Sequence, residues 1–179
     1  SGLLAVNWAL CRRNKDEVWL GLHKRKIRIS QVYTTPFEIA SVDLITQTIK
    51  NISPDVIIHA AALTNVEECE KEPDTAFLVN SRYAGFMSKV AFEENVKFVH
   101  ISTDQIFDGK TPFKNETDLP KPVNVYGLSK LDGENIVRKE NPNALILRVN
   151  FFGWGPTYRQ SLSDWILTSL VQARRITLY

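Results

Sequence analysis

The chain has 179 residues, 44% of them hydrophobic and 23% charged, with a net charge of +2. That length carries one domain with a real core, and the small positive excess argues against nucleic acid, which calls for a dense basic patch. No apolar run approaches the ~20 residues of a membrane span. Cys11 and Cys69 form no CxxC pair and have no His-rich neighbourhood, so reduced thiols, no bound metal and a cytoplasmic setting are expected.

Leu3 to Arg13 reads as a helix buried on most of its surface, carrying Leu3, Leu4, Val6, Trp8, Ala9 and Leu10, and Asn14-Lys15-Asp16 breaks it. EVWLGL (Glu17 to Leu22) reads as a strand, with His23-Lys24-Arg25-Lys26 directly after it. Val42 to Ile52 has helical spacing and stops ahead of Ser53-Pro54, as helices tend to do before proline. DVIIHAAAL, from Asp55, begins as a continuous apolar strand of the kind buried on both faces. Pro73 to Asn95 is helical, with proline near the start, where its missing N–H matters least. VKFVHIS (Val96 to Ser102) is a second buried strand, and 103–122 is loop-like. Val123 to Lys139 is a helix, Asn143 to Val149 a strand, and Ser161 to Arg174 a last helix with Ser161 as its cap.

Short apolar strands alternating with helices predict an α/β fold built on a doubly wound parallel sheet. In such sheets ligands bind beyond the carboxyl ends of the strands. The residues that follow the strands are His23-Lys24-Arg25, Ala60-Ala61-Ala62, Thr103-Asp104 and Asn150-Phe151.

YGLSK sets Tyr126 and Lys130 four residues apart, on one face of a helix. A phenol titrates near 10, and a neighbouring ammonium favours its ionised form. The pair is expected to move a proton at moderate pH. HISTD ends a buried strand and offers the Thr103 hydroxyl to a substrate carbonyl, with Ser102 as the alternative hydroxyl. Strand end, loop and helix start then converge as a catalytic site requires.

These stretches resemble the short-chain dehydrogenase/reductase superfamily in its extended, nucleotide-sugar-modifying branch, and more closely the dTDP-4-dehydrorhamnose reductase-like family. The resemblance lies in SGLLA, PDVIIHAAALTNVEECE, AFLVN, FVHISTDQIFDG, PVNVYGLSKLDGE and LILRVNFFGWG, in order from Ser1 to about Gly155. It implies a Rossmann-type dinucleotide-binding unit over 1–155, and over 156–179 the start of a substrate-binding lobe. The family opens with a strand and a glycine-rich turn. SGLLA supplies only the turn's middle glycine, Gly2, and its last small residue, Ala5, so the chain is expected to be a fragment.

The resemblance also implies cofactor positions. Backbone N–H groups of Gly2, Leu3 and Leu4 would face a pyrophosphate at a helix N-terminus. His23, Lys24 and Arg25 stand where an acid would hold a ribose hydroxyl, which favours NADP over NAD. Asp43 in SVDL matches the adenine-contacting acid, with Leu44 beside it. Ala60, Ala61 and Ala62 let the chain pass close to the cofactor, and Thr64 and Asn80 match further cofactor-side positions.

On the substrate side stand Thr103, Asp104, Gln105, Asn150 and Phe151. Asp104 either holds its loop or contacts sugar, and Phe151 either stacks on a ligand or packs in the core. Related dehydratases carry Asp then Glu after the threonine. Gln105 cannot remove a proton from carbon, so the implied reaction is NADPH-dependent reduction of a 4-keto group on a nucleotide-linked deoxysugar. In the rhamnose-pathway reductases a tyrosine usually stands at Gln105. Two other readings remain: an epimerase or another sugar reductase of the same scaffold, and a binding subunit resembling the regulatory subunit of methionine adenosyltransferase. A homodimer is the candidate assembly.

Overall fold

Two parallel sheets carry the fold in the computed structural model, which describes residues 2–23, 26–37, 42–155 and 160–177. The first joins β1 (Trp19–Leu22) to β2 (Tyr33–Pro36), in register from Trp19 opposite Tyr33 to Leu22 opposite Pro36. The second has the order β3 (Val56–His59), β4 (Lys97–Thr103), β5 (Leu145–Val149). The strands come as the α/β pattern requires, yet among the described residues they form two sheets rather than one. β2 was not anticipated, because YTTP has no apolar run and ends in proline, which a sheet tolerates at an edge.

The α1 helix (Leu3–Arg12) corrects the expectation of a helix buried on most of its surface. Ala9 is its buried residue, while Trp8 and Leu10 are 49% and 43% exposed. A helix buries only the stripe that has a partner, and α1 packs on β1, a strand of four residues.

The main core lies over the three-stranded sheet. α2 (Val42–Ile52) contributes Ile45 and Ile49, one turn apart. α5 (Tyr83–Glu93) contributes Ala84, Met87, Val90 and Ala91, β4 contributes Phe98 and α6 (Val125–Glu140) contributes Val137. Each large side chain so buried stabilises the fold by roughly 1.5–3 kcal/mol. On β4, Phe98, His100 and Ser102 alternate with less buried neighbours and are all turned toward this helical layer. β3 is less enclosed than its apolar run suggests: Val56 is 44% exposed, and only His59 at its end is buried.

The helix expected over Pro73 to Asn95 is interrupted. α4 (Pro73–Phe77) passes into a π-helical segment, Leu78–Arg82, and then into α5. Such segments insert one residue into a helix and often mark functional places. Here the segment buries Asn80 and Ser81 against α6. The approach is so close that a Cβ on Gly133 would overlap the Asn80 carbonyl oxygen.

A short α3 (Val66–Lys71), unmarked by apolar spacing, is capped by Asn65, which accepts from the Glu68 N–H at 3.1 Å. α7 (Leu162–Val171) has the expected Ser161 cap, completed by Asp164 as a reciprocal capping box. No described helix is long and apolar enough to cross a membrane.

Candidate active site

Tyr126, Lys130, Glu134 and Val137 form one buried stripe of α6, facing β4. The helix start that sets this stripe is fixed three ways. Asn124 caps it by accepting from the Gly127 N–H at 2.7 Å. Glu70 of α3 accepts from the Val125 N–H at 2.8 Å. Gly127 lies against the Gln105 carbonyl oxygen, with no room for a Cβ.

Thr103 ends β4 and caps the 3-10 turn Asp104–Ile106. Its hydroxyl accepts from the Gln105 N–H at 3.2 Å and donates to Asp104 Oδ1 at 3.2 Å. The Thr103 side chain also acts on the Tyr126 phenol, easing its ionisation. The structure thus brings together two of the three groups expected to do the chemistry, both nearly enclosed at 5% and 8% exposure.

The third corrects an expectation. Lys130, 2% exposed, sends its ammonium to the Ile101 carbonyl at 2.7 Å and to His100 Nε2 at 3.4 Å. Burial raises the Tyr126 phenol above its ordinary pKa; the Thr103 side chain opposes this, and Cys69 and Asp104 add to it. The expected lowering by Lys130 is not found: its ammonium is turned to Ile101 and His100, and desolvation has the largest effect on the phenol. Lys130 itself is lowered by burial to about 8, with Glu134 opposing.

Behind the stripe is a polar cluster that the sequence reading passed over. Glu134, fully buried, accepts from the Ser102 hydroxyl at 2.6 Å and from Arg148 on β5 through a two-pronged contact, 3.0 and 2.8 Å. Its hydrogen bond holds the Arg148 guanidinium above its ordinary pKa. Glu134 lies one helical turn beyond Lys130 (i, i+4), and that spacing was the available signal. His59 and His100 are paired across β3 and β4, a contact signalled only by two histidines in buried strands.

The remaining expected positions divide into groups. Ala60, Ala61 and Ala62 follow β3; Asp104 and Gln105 lie exposed in the turn after β4; Asn150 and Phe151 follow β5. Asn150 Nδ2 donates to Asp104 Oδ2 at 3.3 Å, closing the rim between β4 and β5. Phe151 is 45% exposed rather than a core residue.

Asn80 is fully buried. Its side chain accepts from the Leu63 N–H at 2.8 Å and donates to the Leu63 carbonyl at 3.0 Å and to Ser129 Oγ at 2.9 Å. It therefore shapes the loop that carries Thr64 from behind. Gly2 is the extended N-cap of α1, with Leu3 and Leu4 in the first turn. His23 is exposed just past β1, and Lys24 and Arg25 lie outside the described residues. Asp43 and Leu44 occupy the exposed first turn of α2.

This arrangement has close parallels. The RmlD substrate binding domain family matches residues 10–174. A probable low-salt glycan biosynthesis reductase, Agl14, of Haloferax volcanii is 40% identical over 149 residues, 79% of this chain and 49% of that protein. A dTDP-4-dehydrorhamnose reductase of Aggregatibacter actinomycetemcomitans is 37% identical over 115 residues, 64% of this chain and 39% of its own length. Methionine adenosyltransferase 2 subunit beta of Rattus norvegicus is 32% identical over 151 residues, covering 83% and 44%.

Among solved structures, a dTDP-4-dehydrorhamnose reductase of Bacillus anthracis in complex with NADP is similar at a TM-score of 0.71 and 30% identity, over 81% of this chain and 53% of that one. A hypothetical dTDP-4-dehydrorhamnose reductase of Sulfolobus tokodaii reaches a TM-score of 0.86 at 27% identity, covering 98% and 60%. The chain spans about half the length of the curated relatives it matches or less. With the family matched over most of its length and its fold shared with these neighbours, the chain belongs to the RmlD substrate binding domain family, within the extended short-chain dehydrogenases/reductases.

Proposed function

We propose that this chain carries the dinucleotide-binding and proton-transfer half of an NADPH-dependent reductase acting on the 4-keto group of a nucleotide-linked deoxysugar. Residues 1–155 would hold the cofactor and 156–179 would begin the lobe that holds the sugar.

The residues present fit such a cofactor. Gly2 opens α1 with no side-chain cap, so the N–H groups of the first turn are directed outward and suit a pyrophosphate. Ala60, Ala61 and Ala62 leave room beside the strand ends, and Asp43 at α2 suits an adenosine. His23, with Lys24 and Arg25 next to it in sequence, suits a ribose 2′-phosphate and favours NADPH over NADH. NADP is also what the similar Bacillus anthracis reductase structure contains. When bound, the cofactor would supply hydride to the carbonyl carbon.

Thr103 would orient and polarise the carbonyl oxygen, and Tyr126 would deliver the proton that oxygen needs. Its raised pKa suits this direction, since burial keeps the phenol protonated and therefore able to donate. Lys130 would hold the ribose side of the site from within α6. Gln105 offers no carboxylate to take a proton from carbon, which argues for reduction over dehydration.

The observation that carries this reading is the joint enclosure of Thr103, at the carboxyl end of β4, and Tyr126, in the first turn of α6. It is tested by following NADPH absorbance with a dTDP-linked 4-keto-6-deoxysugar. The expected result is steady oxidation, reduced about 10²–10⁴-fold by Tyr126→Phe. Full turnover by that variant would overturn the mechanism, and equal affinity for NADPH and NADH would overturn the cofactor preference.

One observation favours a second reading, a subunit that binds NADP and serves a partner enzyme, as the similarity to methionine adenosyltransferase 2 subunit beta suggests. The described hydrogen bonds of Lys130 run inward to β4 rather than to the phenol. Tight NADPH binding without oxidation by any 4-keto sugar nucleotide would favour it.

A further inference from the structure

Beneath the proposed site lie two histidines that its chemistry does not use. His59 and His100 are register partners on β3 and β4, 6% and 0% exposed, with rings stacked at 5.3 Å between centroids and 18° between planes. Their Nδ1 atoms are 3.2 Å apart, and His100 Nε2 is 3.4 Å from Lys130 Nζ.

Each of these contacts needs one donor and one acceptor. An ammonium only donates, so His100 must accept at Nε2, which makes it neutral with its proton on Nδ1. That N–H then donates to His59 Nδ1, which must accept, leaving the His59 proton on Nε2. One tautomer follows for each ring, and burial together with the charge of Lys130 keeps both neutral.

We propose that His100 is a positioning residue for Lys130: set in its Nδ1–H tautomer by the ammonium, with His59 accepting that N–H, it fixes the amine in one orientation between α6 and β4. The proposal rests on the reading of Lys130 as a site residue. The ionisable groups around the amine are His100 on β4, His59 on β3 and Glu134 on its own helix, with Arg148 on β5 reaching it through Glu134. From the other packed elements come Asp104 of the 3-10 turn and Cys69 and Glu70 of α3, which face Tyr126 and the helix start, and Asp132, which pairs with Ser81 of the π segment.

Long-range proton–nitrogen NMR correlation on the protein near neutral pH tests the tautomers without requiring turnover. Expected are a neutral His100 protonated at Nδ1 and a neutral His59 protonated at Nε2, with Lys130→Met releasing His100 into a mixture. A His100 protonated at Nε2, or charged, would overturn the proposal, as would an unchanged tautomer in Lys130→Met.

In turnover assays, His100→Leu is expected to lower kcat about tenfold, the worth of one buried hydrogen bond, and to move the pH limb that Lys130 sets. His100→Gln, which keeps an acceptor, should recover most of both. An unmoved kcat and pH limb in His100→Leu, with Tyr126→Phe still inactive, would sink the positioning role and leave the reductase reading intact.

Discussion

The two sheets of this molecule differ in what their helices bury. Over the three-stranded sheet, α5 and α6 seal a row of polar groups, His100, Lys130, Ser102 and Glu134, each matched to a partner in the next element. Over the two-stranded sheet, α1 buries Ala9, and Trp19 and Tyr33 stack at 4.8 Å on a surface that leaves them 39% and 55% exposed. Enclosure makes a charge or a phenol sensitive to its neighbours, because desolvation raises the cost of every unmatched group. The proposed proton-transfer groups therefore belong to the first region. Under the proposed function the second region would serve the cofactor's phosphates, through the first turn of α1 and the His23 that follows β1.

This contrast can be broken at several points. The largest change in rate is expected from Tyr126→Phe, as above, with little loss of stability. The largest change in stability is expected from Glu134→Ala, about 3–5 kcal/mol in a denaturant melt, because Arg148 loses its buried counter-charge and Ser102 its acceptor. Phe98→Ala, in the main core, should cost a comparable ~3–5 kcal/mol.

A smaller effect is expected with pH. The folded Lys130 amine loses its proton near 8 and the unfolded one near 10.5. Between those values the unfolded chain binds more protons, so stability should rise with pH through that window. Lys130→Met should flatten this part of a stability–pH series. The smallest effect is expected in the other region: Trp19→Ala should cost about 1 kcal/mol, the worth of an exposed aromatic stack. A loss there as large as that of Phe98→Ala would erase the distinction between the sheets.

Much of this was legible in the sequence where the determinants are local. The Val42–Ile52 helix follows from its spacing and the proline after it, and the Ser161 cap from one residue type at one position. HISTD and YGLSK marked the end of β4 and the start of α6, where Thr103 and Tyr126 stand, because strand ends and helix starts in a parallel α/β fold lie at the same edge. What was not legible depends on groups far apart in the chain. The phenol's pKa is raised by enclosure, which no spacing encodes. The His59–His100 pair depends on strand register across 41 residues. β2 and α3 are short and polar, so neither periodicity nor apolar runs announce them.

The wide turn of the π segment takes up one residue more than a plain α-helix would need between its halves. Removing one residue from Leu78–Arg82 would let the helix run on as plain α with its halves nearly in phase, and would draw in the turn that carries Asn80. Asn80 would swing off the Leu63 backbone, and the loop that follows β3 would lose its rear support. The length of this one stretch thus works as a dial, and related chains that differ from it by a single insertion or deletion there would present a differently shaped wall to whatever they bind.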